Sequence, residues 1–472
     1  MKVLKNYMYN MSYQILLLIV PLVTMPYISR VLGPKGLGTY AYTNSVVSYF
    51  LLLGSLGITL YGSRQIAYVQ DNREKRSKLF FEITILKLLT TLFSGILLAS
   101  YLFMCSEFRV LLIAQSLTLF ANVFDVSWYF MGVEDFKKNV IRNVIVKLAS
   151  LILIFSFVRT NRDLLLYIII IGGSTLIGNI VLIPFLINQV EFFNIKNLNV
   201  IQHLKPAILL FLPQVATQIY LVVNKTMLGQ MDSVSAVGFF SSSDTLVRLA
   251  LTIVSSLSAV LMPRIANLIA EGKTKRVEYY MNQSFEFINV LALPLMMGLA
   301  AISSTFVPLF LGAKFSVVAL LVIMESPVIL IISWSIAITN QYLIPSRMNR
   351  EYIISTVLGA LSNVSLNVIL ISNFGVYGAI IATFVSELIV MVYLVYSIRK
   401  YLNVTAMLFS NFYKYAVGSF IMFGVTRTLS HILPATIVSV ILEIFVGIAT
   451  YFITLFLLKA DILQNWRNFF HE

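Results

Sequence analysis

Long apolar stretches are the feature that most constrains what this chain can fold into. They recur along almost all of its 472 residues, and the segments between them are short. A helix that crosses a bilayer needs about 20 mostly apolar residues, so the pattern predicts an all-α polytopic membrane protein with about 14 transmembrane helices. The predicted spans are 12–31, 40–62, 79–104, 108–131, 141–158, 163–187, 205–228, 234–262, 284–304 (interrupted by Pro294), 317–343, 352–372, 376–397, 411–432 and 435–459.

The composition excludes the main soluble alternatives. Only 11% of the residues are charged and 59% are hydrophobic, whereas a soluble domain carries about 25% charged residues. Aromatic residues make up 13% of the chain, which is far from the composition of a disordered protein. Because Cys105 is the single cysteine, neither an intramolecular disulfide framework nor a cysteine-rich metal site is expected.

The net charge of +14 is explained by membrane topology. Lys and Arg lie mostly in the short segments between the spans, as in the basic loops 73–78 and 273–276. With a cytoplasmic N-terminus, most of these residues fall on the cytoplasmic side, as the positive-inside rule requires. The sequence therefore predicts a multi-pass protein with both termini cytoplasmic, and it does not favour a nucleic-acid partner.

Two stretches of the chain resemble each other. Each contains a mid-helix proline, a glycine-containing turn and an arginine before a basic loop, with Pro21 and Arg64 in the first stretch and Pro213 and Arg264 in the second. Six predicted spans separate the copies, so both enter the membrane in the same sense. Parallel repeats of this kind occur in secondary transporters, where the substrate site lies between the halves.

Several motifs indicate a family. They are RVLGPKGLGTY at 30–40, NKTMLG at 224–229, GFF at 238–240, MPR at 262–264 and FGVYGAIIAT at 374–383. Together they resemble the Wzx-type polysaccharide repeat-unit flippases of the multidrug/oligosaccharidyl-lipid/polysaccharide exporter superfamily. Many members carry Asp where this chain has Asn224, which argues against a charge-coupling role at that position.

The resemblance implies two pseudo-symmetric six-helix lobes around a central cavity, followed by two extra helices. The corresponding segments are 1–190 for the N-lobe, 200–400 for the C-lobe, and 401–472 for the extra helices and cytoplasmic tail. The implied substrate is an undecaprenyl-diphosphate-linked oligosaccharide, moved from the cytoplasmic to the outer leaflet of a bacterial inner membrane. Alternating access, ion coupling, contacts with membrane lipids and association with polysaccharide polymerase machinery are further expectations.

Basic residues within or beside the spans are the predicted substrate-binding residues, because Lys and Arg form charge-assisted bonds to phosphate oxygens. Charged groups at bilayer depth are also costly, which by default indicates a function. The candidates are Lys87, Lys147, Lys225, Arg248 and Arg30.

Three of these candidates also have a structural interpretation. Lys87 lies close to Glu82 in the sequence, and Arg248 follows Asp244 by four residues, so both arginine and lysine have a local partner within reach. Lys225 lies near the end of its span, where a lysine extends its ammonium to the interface.

Two further roles are predicted. Arg64 and Arg264 occupy matching positions in the two repeats and are candidates for gating or headgroup contact, with anchoring by the positive-inside rule as the alternative. Asp125 and Asp244 are candidates for ion coupling, because burial of an acid favours its protonated form. A structural ion pair with a neighbouring lysine is the alternative for Asp125.

Other functions are weighed by what the sequence contains. No Walker A, HExxH or CxxC pattern occurs, so we expect no cofactor, no metal and no enzymatic activity. A drug/cation antiporter or a lipid II flippase of the same fold remains an alternative, and cationic drugs would need an acidic cavity. A membrane polysaccharide polymerase is disfavoured by the short outer loops.

Overall fold

The computed structural model of the chain describes residues 2–187, 189–191 and 198–460, without the side chains of 2–18, 212–214, 216–217, 219–221 and 257–260. These residues form helices and connecting segments and include no β-strand. The chain divides into two compact units, Met1–Thr226 and Met227–Glu472. The side chain of Pro213 and the tail 461–472 lie outside the described residues, and the predicted three-part division of the chain stays a prediction.

The described residues of the N-terminal unit form eight α-helices, the last of which continues past Thr226. They are α1 Lys2–Ser55, α2 Ile58–Tyr68, α3 Arg73–Met104, α4 Arg109–Val123, α5 Ser127–Gly132, α6 Phe136–Phe157, α7 Leu164–Ile187 and α8 Leu204–Met231. The side chain of Asn72 caps α3 by accepting the backbone N–H of Lys75 at 2.9 Å, which satisfies one of the donors that a helix start leaves open.

The first two predicted spans are joined by a single residue. Gly33 interrupts α1 with φ 68° and ψ 179°, a conformation that is essentially restricted to glycine. Pro34 follows directly, at a position where a helix start tolerates proline. The predicted spans leave residues 32–39 as the connecting turn, and this length is wrong. Gly36 and Gly38 already belong to the second arm of the helix.

Two predicted continuous spans are broken in the structure. The span placed at 40–62 is interrupted at Leu56 and Gly57, both of which have positive φ angles. The span placed at 108–131 is interrupted between α4 and α5, at residues 124–126. The hydropathy pattern could not locate these breaks, since apolar residues continue through both.

Eight further α-helices form the C-terminal unit as far as Ala460, where the described part of the chain ends. They are α9 Val234–Ala270, α10 Thr274–Leu311, α11 Ser316–Glu325, α12 Val328–Ala337, α13 Asn349–Ile398, α14 Val404–Leu408, α15 Phe412–Ile432 and α16 Ile437–Leu457. A π-helical turn, Ile338–Leu343, extends α12. The side chains of Ser233 and Thr436 cap α9 and α16.

The breaks between and within spans of the C-terminal unit agree with the sequence at one place and differ at two. Gly375 interrupts α13, at the predicted junction of two spans. The expected interruption at Pro294 is wrong, because α10 continues through Pro294 and Pro308 as one helix. The tenth span is bent instead, by 47° between Glu325 and Val328.

Length and hydropathy identify the spans in the described residues. Nine helical segments there are long and apolar enough to cross a membrane, and the bent pair makes a tenth. Two of them, Ile19–Tyr68 and Asn349–Ile398, have 50 residues each. At 1.5 Å per residue each is about 75 Å long, far more than one bilayer crossing. Asn349–Ile398 divides at Gly375, and Ile19–Tyr68 divides at Gly33 and again at Leu56–Gly57.

Polarity is arranged as a lipid environment requires. Phe93, Ile96 and Phe445 are each more than 60% exposed on helix surfaces, while Asn363 and Asn367 are completely buried. Large apolar residues facing outward and polar residues facing inward are the reverse of what a surface exposed to water allows. The protein is therefore a multi-pass membrane protein.

Candidate functional site

Lys87 and Asp125, which the sequence assigned to two different roles, form one ion pair. The ammonium of Lys87 on α3 donates to the backbone carbonyl of Asp125 at 2.7 Å and lies 3.5 Å from its Oδ2. Asp125 lies in the break between α4 and α5, where its Oδ1 accepts the backbone N–H of Ser127 at 3.0 Å. Lys87 thus satisfies the open end of a broken span. The alternative pairing of Lys87 with Glu82 does not form.

The same ridge of α3 supports the other broken span. Thr90 and Thr91 lie on the face of α3 that Lys87 occupies, because residues three and four apart share a helix face. Their hydroxyls donate to the carbonyl of Gly54 at 2.8 and 3.2 Å, just before the break at Leu56–Gly57. One helix therefore satisfies carbonyl groups at two interruptions in its neighbours.

A second set of polar contacts surrounds the α4–α5 break. The amide of Asn139 donates to the carbonyl of Ser127 at 2.9 Å, and Asn179 donates to the carbonyl of Ala121 at 2.7 Å. Arg142 donates to the side-chain oxygen of Asn179. The sequence analysis did not single out Asn139, Arg142 or Asn179. The signal that could have found them is the presence of single polar residues within otherwise apolar helices.

Glu82 belongs to a buried network that the sequence did not reveal. It accepts hydrogen bonds from the backbone N–H of Asn199 at 2.8 Å and from Gln202 at 3.2 Å. Its Oε2 also lies 2.8 Å from Nε2 of His203, whose Nδ1 is 2.7 Å from the hydroxyl of Tyr61. The network joins α2, α3 and the segment before α8 within the N-terminal unit. No local sequence signal could have found it, since Tyr61, Glu82 and His203 are far apart in the chain.

Lys147 and Lys225 differ from the other basic candidates, because their ammonium groups have no partner among the described residues. Lys147 is half-buried on α6, and the bond that involves it is made by its backbone carbonyl, which accepts the hydroxyl of Ser150 at 2.8 Å. Lys225 is half-buried near the end of α8. Lys147 lies in a helix that is long and apolar enough to cross a membrane, where an uncompensated charge is costly.

The three remaining arginines are exposed. Arg30 donates to a carbonyl one turn earlier in its own helix at 3.1 Å. The guanidinium of Arg64 lies 5.7 Å from the ring centroid of Tyr68, and that of Arg264 lies 4.3 Å from the ring of Tyr280. The matching arginines of the two repeats thus both make cation–π contacts.

Carboxylates dominate the polar site of the C-terminal unit. Nε of Arg248 donates to Oδ1 of Asp244 at 2.6 Å, which confirms the predicted local ion pair. Glu325 and Glu387 also act electrostatically on Arg248, and Ser243 donates to Glu325. Three buried carboxylates therefore interact electrostatically with one guanidinium. They do not constitute a metal centre, since the described part of the chain holds no group of three potential ligands placed around a common point.

A family match covers the N-terminal unit and continues beyond it. The family described as "Polysaccharide biosynthesis protein" matches residues 3–269, which is more than half of the chain. Among curated proteins, the chain is 22% identical over 379 residues to "Putative O-antigen transporter" of Escherichia coli (strain K12), covering 79% of this chain and 91% of that protein. It is 24% identical over 390 residues to the protein of the same name from Shigella dysenteriae, covering 80% and 96%.

Solved structures share the fold. The structure titled "Lipid II flippase MurJ, inward closed conformation" superimposes with a TM-score of 0.75 over 98% of this chain and 100% of that chain, at 17% identity. An inward-facing multidrug resistance MATE family transporter of the MOP superfamily gives a TM-score of 0.61 over 83% and 98%, at 14% identity. At these identities the likeness concerns the fold alone, and it agrees with the predicted all-α transporter architecture.

Proposed function

We propose that this chain, which belongs to the polysaccharide biosynthesis protein family, is a flippase for lipid-linked oligosaccharides. The family match and the two O-antigen transporter relatives support the class of substrate, and the family membership confirms the resemblance seen in the motifs. We assign it the finer role of carrying undecaprenyl-diphosphate-linked repeat units from the cytoplasmic to the outer leaflet of the bacterial inner membrane by alternating access.

The observation that carries the proposal is Lys147. It is a half-buried cation in a membrane helix, and its ammonium has no carboxylate partner in the described residues. A diphosphate offers the charge that such a group requires, because charge-assisted bonds to phosphate oxygens are among the strong hydrogen bonds of proteins. Lys225 has the same character, so two cations of the N-terminal unit are suited to the headgroup of an anionic glycolipid.

Lys87 has a different role in the proposal. Its ammonium is committed to Asp125, so we assign this pair to the architecture of the N-terminal unit. Arg30, Arg64 and Arg264 are exposed and stay candidates for contact with headgroups or for anchoring at the membrane surface.

The C-terminal unit is suited to ion coupling. Asp244, Glu325 and Glu387 are all buried, and all three act electrostatically on the guanidinium of Arg248. Burial of a carboxylate at low dielectric favours its protonated form, which is what a group that takes up a coupling proton requires. We therefore assign coupling to this cluster and headgroup binding to the cations of the N-terminal unit.

Two alternatives have the same fold. A lipid II flippase would also bind a diphosphate, so the cation at Lys147 does not separate it from a repeat-unit flippase. A drug/cation antiporter would bind cations and would use the carboxylates of the C-terminal unit for its cargo. The substrate itself must therefore distinguish them.

The test is reconstitution into proteoliposomes that contain undecaprenyl-diphosphate-linked oligosaccharide. A glycosidase added outside measures how much of the glycan becomes accessible with time, and empty liposomes give the uncatalysed rate. We expect protein-dependent exposure without ATP, slower exposure of lipid II, and no transport of tetraphenylphosphonium. Transport of tetraphenylphosphonium without glycolipid movement, ATP hydrolysis, or elongation of the glycan would overturn the proposal.

A further inference from the structure

The C-terminal unit contains an apolar cavity that the proposed transport does not use. Its volume is about 410 Å³, within the range of small-molecule sites. Helices α9, α10, α15 and α16 wall it. The lining includes Ile253, Leu295, Gly298, Met422 and Phe452.

One carboxyl group is placed in this apolar wall. Glu443 on α16 lines the cavity and is 0% exposed, and neither of its side-chain oxygens has a hydrogen-bond partner among the described residues. The hydroxyl of Thr426 on α15 also lines the cavity and is equally without a partner there. Unsatisfied polar atoms are rare in buried positions, so three of them in one cavity indicate a ligand that supplies donors.

Two arginines on the helices that line the cavity bond to groups other than Glu443. Arg248 on α9 is bound by Asp244, and Arg427 on α15 donates to the hydroxyl of Ser304 at 2.6 Å. Helix α16 itself carries no Lys or Arg. Among the described residues, no Lys or Arg donates to either side-chain oxygen of Glu443.

We propose that this cavity binds lipophilic ammonium ions, with the ammonium on Glu443 and Thr426 and the alkyl body against the apolar lining. A metal ion is unsuited, because hard cations need several oxygen ligands. Of the polar side chains that line the cavity, Glu443 and Thr426 are without a partner in the described residues, whereas the hydroxyl of Tyr451 donates to the carbonyl of Val290. A plain acyl chain would fill the volume but would leave both polar groups unsatisfied. An ammonium group supplies up to three donors and a positive charge, and its alkyl chain buries the apolar surface.

The test uses a photoreactive dodecylammonium added to the full chain in phosphatidylcholine nanodiscs. Unlabelled dodecylammonium and dodecanol compete with it, and the labelled peptides are identified. We expect labelling in α10 and α16, and competition by dodecylammonium at about a tenfold lower concentration than by dodecanol, since a charge-assisted bond accounts for at least that factor. In Glu443→Gln, which keeps the shape, we expect the two competitors to become equivalent.

A second variant, which fills the cavity, tests the proposal independently of whether Glu443→Gln folds normally. A Cβ at Gly298 would meet only the terminal methyl of Met422, at 3.4 Å, so Gly298→Leu extends into the cavity. A Cβ at Gly424 on α15 would meet no atom within 4 Å. Gly424→Leu is therefore the matched control. We expect Gly298→Leu alone to abolish labelling.

Three outcomes would overturn the proposal. Equal competition by dodecanol and dodecylammonium in the wild-type protein would identify an acyl-chain groove without charge recognition. Unchanged preference for the ammonium in Glu443→Gln would remove the carboxylate from the site. Unchanged labelling in Gly298→Leu would place the ammonium outside this cavity.

Discussion

The ammonium of Lys87 donates to the backbone carbonyl of Asp125 at 2.7 Å and lies 3.5 Å from the carboxylate of the same residue. One lysine thus satisfies both the open end of a broken helix and the acid that lies in the break. The lysine side chain is almost completely buried, whereas the aspartate side chain is about one-fifth exposed. The relationship explains how the N-terminal unit tolerates two opposite charges among apolar helices, and it distinguishes this lysine from Lys147.

We expect Lys87→Met to destabilise the protein strongly. Removing one member of a buried pair leaves the other uncompensated, at a cost of about 3 to 5 kcal/mol. Thermal unfolding of the protein in nanodiscs measures the effect as a lower melting temperature. Lys75→Met, in the exposed first turn of α3, is the control. Equal melting temperatures of the two variants would contradict a structural role for the pair.

The buried network of the N-terminal unit predicts an order of effects. Tyr61→Phe removes one hydrogen bond, to His203, and should cost about 1 kcal/mol. His203→Phe leaves both Glu82 and Tyr61 without that partner and should cost more. Tyr68→Phe, at an exposed position of the same helix as Tyr61, should have no effect. The melting temperatures of the three variants give the order, and the reverse order would exclude His203 as the centre of the network.

Replacing Gly33, at the break in α1, should destabilise the protein through backbone strain and not through a steric clash. A Cβ at Gly33 meets no atom within 4 Å, but the φ angle of 68° with ψ at 179° is strained for any other residue, by about 1 to 3 kcal/mol. We expect Gly33→Ala to lower the melting temperature. Gly95→Ala, in the middle of α3 with equal space, should raise it slightly because alanine favours a helix. A stabilising Gly33→Ala would show that the break is not required.

The sequence predicted the class of fold well and the contacts of the charges poorly. Spans and their junction at Gly375 follow from hydropathy, which is a property of consecutive residues. The breaks at Gly57 and Asp125 do not, because apolar residues continue through both and the compensating groups are contributed by another helix, α3. The partner of Asp244 was predictable because Arg248 is one turn away. The partner of Lys87 and the hydrogen-bond donors to Glu82 come from residues distant in the chain, which no local pattern encodes.

The surroundings of Glu443 also come from residues distant in the chain. The sequence marks it only as an acid within an apolar helix, and its environment depends on how α9, α10, α15 and α16 pack around it. Conversely, the absence of a described partner for Lys147 could not be read from the sequence, since a partner on another helix is always conceivable there.

The carboxylates around Arg248 predict an effect on coupling. If this cluster takes up the coupling ion, Glu387→Gln should leave binding of the glycolipid intact and remove the dependence of its movement on an imposed proton or sodium gradient. Glu271→Gln, in the exposed turn after α9, is the control. The proteoliposome assay with and without a gradient measures both variants. Full gradient dependence in Glu387→Gln would exclude this residue from coupling.

The central claim is that a cation of the N-terminal unit holds the diphosphate of the substrate, and one binding measurement tests it most directly. The affinities of the protein in nanodiscs for undecaprenyl diphosphate and for undecaprenol are compared for wild type, Lys147→Gln and Lys137→Gln, the last being an exposed lysine on the same helix. We predict that wild type and Lys137→Gln prefer the diphosphate by about tenfold or more, and that Lys147→Gln loses this preference while melting at the wild-type temperature. An undiminished preference in Lys147→Gln would contradict the account.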